Sequence, residues 1–228
     1  MALNRVSQID DLVSVKNVLI SLSDKTGLES FAKSLMEICP GVKFYSTGGT
    51  YQSLEKLLGP GHPQLVSISD YTGQPEMQGG LVKTLDFKIY LGLLSETYNN
   101  HHVKDLSRTG GITFDLVAVN LYPFEATVAA SGVTTEDARA NIDIGGPTML
   151  RAAAKNYLRI AAVCNPSAYT QILADIKKNG GKTSLTQRFD LAKDTFKRIK
   201  DYDQAISDYL DAVDSRSLSA LYSFQESK

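Results

Sequence analysis

Apolar, β-branched runs alternate with polar stretches of helical spacing along most of this chain. VKNVLISL (15–22), VKFY (42–45), QLVSI (64–68), FKIYLGLL (87–94), FDLVAVNLY (114–122) and LRIAAVC (158–164) read as strands. Residues 27–38, 49–58, 134–140, 147–156 and 166–178 read as the helices between them. The alternation predicts an α/β domain with a mainly parallel central sheet. From 184 to about 213 the text loses every strand signal, and TQRFDLAKDTFKRIKDYDQAISDYLDAV predicts one or two C-terminal helices packed on the sheet. Its segment KDTFKRIKDYD reads as their solvated face. The pattern divides the chain into an N-terminal extension (1–14), one domain (15–213) and a loosely held tail (214–228).

Composition narrows the classes of function. A chain of 228 residues suits one large domain with a buried core. Its net charge is −1, from 24 basic and 25 acidic side chains, so no global field favours nucleic acid or an anionic membrane, and an anionic ligand needs a local site. Cys39 and Cys164 stand far apart without metal-ligand spacing, which argues against a metal site and for a reducing compartment. The start, MALNRVSQIDDLVSVK, lacks an apolar signal region, and no run approaches the roughly 18 apolar residues of a membrane span. A cytoplasmic location is expected.

Two turns carry the chemistry of a phosphate site. Ser23, Asp24, Lys25, Thr26 and Gly27 follow the first predicted strand and open a helix; Ser46, Thr47, Gly48, Gly49 and Thr50 do the same after the second. Unpaired N–H groups and the positive end of the macrodipole make a helix N-terminus attractive to anions, and glycine lets the backbone approach closely. Serine, threonine and aspartate are also the preferred helix caps, so either turn alone reads as a cap. Both together, at the carboxyl ends of neighbouring parallel strands, face the crevice where open α/β sheets bind ligands, and they suggest a grip on one monophosphate. Neither fits the P-loop or dinucleotide pattern, so no nucleoside triphosphate hydrolysis or nicotinamide cofactor is expected.

Three further stretches place polar groups at strand ends. GGLVKTL carries Lys83 and Thr84, VNLYPF carries Asn120 and Tyr122, and NIDIGGPTMLRAAAKN carries Asp143 and Lys155. Each has a plainer reading: a surface lysine, a turn asparagine, a wet tyrosine, a carboxylate cap, and a lysine complementing a helix C-terminus. Their shared position is what sets them apart.

In this order and at these intervals, SDKTG, STGGT, GGLVKTL, VNLYPF, NIDIGGPTMLRAAAKN and YDQAISDYL resemble the IMP cyclohydrolase domain of the AICAR transformylase/IMP cyclohydrolase family, from about Val15 to Val213. The resemblance implies a methylglyoxal-synthase-like three-layer fold. It also implies ring closure of 5-formamidoimidazole-4-carboxamide ribotide to IMP with loss of water, without metal or cofactor. By the same resemblance Ser23, Asp24, Lys25, Thr47, Gly48, Gly49 and Thr50 would hold the ribose phosphate, and Lys83, Thr84, Asn120, Ile144 and Gly145 would border the substrate. Asp143 and Lys155 would form the central pair, with Lys83 and Tyr122 as helpers and the backbone N–H groups of 143–146 as donors to the developing oxyanion.

The pairing of Asp143 with Lys155 rests on resemblance alone. An unbroken helix over 147–156 separates its ends by about 15 Å, so the two meet only if the DIGG turn folds back or the helix stops early. The resemblance further implies a homodimer. Because the transformylase domain usual in that family does not follow within these residues, a separate AICAR formyl-transferring enzyme is expected as functional partner. The chain departs from the family's GRVKTLHP by reading GLVKTLDF, so Leu81 replaces an arginine and Asp86-Phe87 replaces His-Pro. Two other functions compete. A methylglyoxal-synthase-type lyase needs an acid–base histidine, yet His62, His101 and His102 lie in polar, surface-type text. A non-catalytic mononucleotide-binding module would keep the phosphate turns and lose the chemistry.

Overall fold

The computed structural model describes residues 5–75 and 83–225. Among them the strands are β1 (Leu12–Ser14), β2 (Asn17–Leu22), β3 (Lys43–Ser46), β4 (Leu65–Ser67), β5 (Leu116–Asn120), β6 (Ala161–Val163) and β7 (Lys182–Ser184). The helices are α1 (Leu28–Ile38), α2 (Gly48–Leu58), α3 (Ile68–Thr72), α4 (Phe87–Leu94) and α5 (Asn100–Thr109), then α6 (Phe124–Val128), α7 (Thr135–Ala140), α8 (Gly145–Lys155), α9 (Tyr169–Lys178) and α10 (Leu185–Ala212).

Strands β2 to β6 form one parallel sheet in the order β4-β3-β2-β5-β6, with β2 at its centre. Their side chains alternate between two cores. Val18, Ile20, Phe44, Leu116, Ala118 and Ala161 pack with Phe31 and Leu35 of α1, Leu54 of α2 and Ile172 of α9. Leu19, Tyr45, Val117, Val119 and Ala162 pack with Leu93 of α4, Leu150 of α8 and Ile199 of α10. Helices on both faces explain why these strands are apolar throughout instead of at every second residue. The result is an α/β domain with a parallel sheet, as the alternation predicts, in the three layers that the resemblance implies. No helix among the described residues is long and apolar enough to cross a membrane.

One apolar run departs from its reading. FKIYLGLL, predicted as a strand, is helix α4. Asp86 caps it by accepting a hydrogen bond from the Lys88 N–H at 2.7 Å, while Ile89, Gly92 and Leu93 are buried and Phe87 is 62% exposed. An eight-residue apolar run fits a buried strand or a buried helix equally well, and here the cap and the neighbours decide. Gly92 lies so close to the Ile112 carbonyl that a methyl group there would overlap it.

The segment read as an extension also acquires structure, since β1 pairs antiparallel with β7, Leu12 opposite Ser184. Helix α10 continues from β7 as a single 28-residue helix. Arg188, on its first turns, is fully buried. It donates to the carbonyls of Asp10, Asp11, Tyr157, Leu158 and Thr183, tying the N-terminal segment to the far end of α8. In the tail, the Tyr222 hydroxyl donates to Glu136 at 2.6 Å.

Candidate active site

A cavity of about 610 Å³ opens at the carboxyl ends of β2, β3 and β5, a volume in the range of small-molecule sites. Ser23, Lys25, Thr47, Gly48, Gly49, Thr50, Lys83, Thr84, Asn120, Tyr122, Asp143, Ile144 and Gly145 all line it. Two expected residues do not: Asp24 and Lys155. Ser21, Leu22, Leu85, Val119, Ala140, Ile142, Gly146 and Met149 line it as well. Ser21, Leu22 and Val119 are strand-end residues that only the topology aims at a common space. The Leu81 substitution lies outside the described residues.

One end of the cavity is cationic. Gly48 and Gly49 are the first residues of α2, and the Thr47 side chain makes no capping hydrogen bond to this helix end. A Cβ on Gly48 would stand 3.5 Å from the Lys83 amine, and one on Gly49 would stand 3.7 Å from that of Lys25. Two amines thus overhang a helix N-terminus whose own dipole favours an anion. Gly48 has φ +55, in the left-handed region where glycine is at ease.

Several polar side chains here hold the scaffold together. The Thr50 hydroxyl accepts from the Leu22 N–H at 2.9 Å and donates to the Leu22 carbonyl at 3.1 Å, fixing α2 against β2. Ser46 donates to the Ile20 carbonyl at 2.8 Å. Asp24 accepts from the Thr26 hydroxyl and N–H, which together hold its carboxyl below the usual range. Asn120 is committed to the same turn: its Oδ1 accepts from the N–H groups of Ser23 and Asp24 at 2.7 and 3.0 Å, and its Nδ2 donates to the Asp24 carbonyl at 2.6 Å. Asn120 therefore clamps the turn that carries Lys25. Asn120→Ala is expected to weaken inorganic phosphate or IMP binding about tenfold by calorimetry, at a stability cost of about 1–2 kcal/mol, since several net hydrogen bonds are lost.

Asp143 lines the same cavity. Its N–H donates to the Tyr202 hydroxyl at 2.8 Å, and its Oδ1 accepts from the Gly146 N–H at 2.8 Å. Burial pushes its carboxyl above the usual range, against the opposing pull of the Gly146, Tyr122 and Gly145 N–H groups. The Gly146 N–H, expected to face an oxyanion, is thus engaged by Asp143 itself. Gly145 and Gly146 are needed for room: a methyl on Gly146 would overlap the Asp143 carboxylate, and one on Gly145 would stand 3.0 Å from the Thr84 hydroxyl. Ile144 and Tyr122, 62% and 48% exposed, give the cavity apolar surface.

Helix α8 runs unbroken from Gly145 to Lys155, so Lys155 stands about 15 Å from the turn, exposed and outside the cavity lining. None of the three histidines lines the cavity. His62 Nδ1 accepts from the Gln64 N–H and His102 Nδ1 from the Glu96 N–H, both local turn contacts. Among the described residues no cluster of three or more His, Cys, Asp or Glu could hold a metal ion.

Comparison with known proteins yields two family matches. Residues 27–148 match the MGS-like domain, and residues 153–228 match the AICARFT/IMPCHase bienzyme. The bifunctional purine biosynthesis protein PurH of Neisseria meningitidis serogroup A is 45% identical over 206 residues, covering 90% of this chain and 38% of that protein. Its counterpart in Magnetococcus marinus is 44% identical over 204 residues, covering 90% of this chain and 37% of that protein. The chain thus spans little more than a third of these relatives. A solved structure titled crystal structure of ForH superposes with a TM-score of 0.69 at 29% identity, covering 85% of this chain and 98% of that one.

Proposed function

The chain belongs to the MGS-like domain family, and from that premise we propose that it closes the purine ring of 5-formamidoimidazole-4-carboxamide ribotide to IMP, releasing water. The observation that supports this most is one cavity lined both by two amines over a helix N-terminus and by a part-buried carboxylate. That is the polarity of a mononucleotide, anionic at its phosphate and reactive at its heterocycle. The likeness to PurH proteins, named for purine biosynthesis, favours this substrate class.

In the reaction the carboxamide nitrogen attacks the formyl carbon of the same molecule. Both groups sit on one imidazole, so holding a near-attack rotamer is much of the task, and positioning of this kind contributes up to roughly 7–11 kcal/mol. Asp143 takes the nitrogen's proton as the C–N bond forms, since an amide is too weak an acid to ionise beforehand. The formyl oxygen takes up a proton to become the hydroxyl of a tetrahedral adduct. That hydroxyl then departs as water with the proton held on Asp143, while the former formamide N–H gives its proton back to the donor as the C=N bond forms. Lys83 and Tyr122 border the cavity and are our donors to the oxygen; Lys155, on the far end of α8, is given no step within its own chain. The homodimer and the separate formyl-transferring enzyme belong to the same proposal.

The test is to mix the purified chain with the formamido ribotide and follow IMP by absorbance. Turnover in the absence of added metal supports the proposal. Tight IMP binding without turnover overturns it in favour of a non-catalytic nucleotide-binding module.

A further inference from the structure

We propose that Tyr202, on the C-terminal helix, is a positioning residue that sets the orientation of Asp143. Tyr202 is 2% exposed, and its hydroxyl oxygen accepts the Asp143 N–H at 2.8 Å. The ring is wedged in place: it packs edge-to-face on the buried Phe124 at 6.3 Å, and Phe124 packs in turn on Tyr209 of the same helix at 5.8 Å. A rigid aromatic thus delivers one hydrogen-bond acceptor to one backbone amide, 59 residues away in sequence.

That amide decides where the carboxylate points. Asp143 opens the turn into α8, and its side chain is held at the other end by the Gly146 N–H. With Tyr202 fixing the backbone and Gly146 fixing Oδ1, the carboxylate is held in one orientation within the cavity that Asp143 lines. Removing the hydroxyl leaves a part-buried N–H without its acceptor, so the peptide is free to rotate and carry the carboxylate with it. Tyr202 lies outside the stretch that matches the MGS-like domain and inside the stretch that matches the bienzyme. The anion end of the cavity is built by residues within or beside the first stretch, whereas the orientation of the carboxylate depends on a helix from the second.

The proposal rests on the ring-closing reading for its kinetic arm and on geometry alone for its other arm. Tyr202→Phe keeps the packing and removes the hydroxyl. We expect kcat for ring closure to fall about tenfold with KM within twofold, a melting temperature within a few degrees of wild type, and faster hydrogen exchange at the Asp143 amide by NMR. A kcat equal to wild type, or a fall in kcat matched by a rise in KM, overturns the positioning role. If the wild-type chain itself fails to turn over the ribotide, the ring-closing reading fails. The Asp143 amide then decides alone: unchanged exchange in Tyr202→Phe overturns the proposal, and accelerated exchange at that amide with the α10 amides still protected upholds it.

Discussion

Replacing Asp143 with asparagine is expected to lower kcat by about 10²–10⁴, the usual contribution of a positioned general base, while IMP binding stays within about threefold of wild type. The side-chain amide oxygen of the substituted residue can still accept from the Gly146 N–H, so the turn keeps its cap and the loss reports proton transfer. The acidity of Asp143 adds a signature. Burial raises its carboxyl above the 3.8 of an ordinary aspartate, so the base form is lost at a higher pH than usual, and the acid limb of the wild-type kcat/KM profile, which reports the free enzyme, is expected above that value. Stability moves oppositely. A carboxyl raised in the folded state favours the native protein only while protonated, and that contribution disappears as pH rises through the folded-state value. Asp143→Asn should therefore melt at or above wild type at pH 7, with the gap closing on acidification. Wild-type kcat in the variant would remove Asp143 from the mechanism.

The largest expected loss of stability comes from Arg188, far from the cavity. Its guanidinium supplies every donor that five carbonyls receive from it, at 2.6 to 3.2 Å, with no exposure to water. Arg188→Met fills a similar space but leaves those carbonyls without their shared partner. Unsatisfied buried polar groups cost about 1–3 kcal/mol each, and relaxation toward water recovers part of the sum, so a net loss of about 3–5 kcal/mol is expected by urea denaturation. Arg188→Lys should recover little, because one ammonium has three donors and no planar fork. Proteolysis should then open the chain first around β1 and β7, where this side chain ties Asp10 and Asp11 to Thr183. A loss below about 1 kcal/mol would show that the carbonyls find water instead.

How much of this was readable beforehand differs from residue to residue. The two helix-opening turns were legible as neighbours of one crevice because both follow apolar strands that read as parallel, and the sheet does bring Lys25, Gly48 and Gly49 to one cavity. The division of labour inside them was not legible. Nothing in the spelling of Asn120 or Thr50 shows that their polar atoms are spent on backbone, because those partners lie 97 and 28 residues away, whereas Asp24 folds back locally on Thr26. Tyr202 opens the stretch YDQAISDYL that carries part of the resemblance, but its contact with Asp143, 59 residues away, was not legible for the same reason. Helix α4 was misread since its apolar run is too short for periodicity to separate helix from strand.

The sequence by itself determined the layered α/β plan and the residue types around the cavity, because burial on both faces of a sheet leaves a local mark in every strand and turn. Only the tertiary structure decided which polar groups face the cavity and which hold the scaffold. It brought Lys83 over α2, set Tyr202 behind Asp143, gathered five carbonyls on Arg188, and left Lys155 at the outer end of an unbroken helix. Those are contacts between distant segments, fixed by how helices settle on the sheet, and no local pattern encodes them.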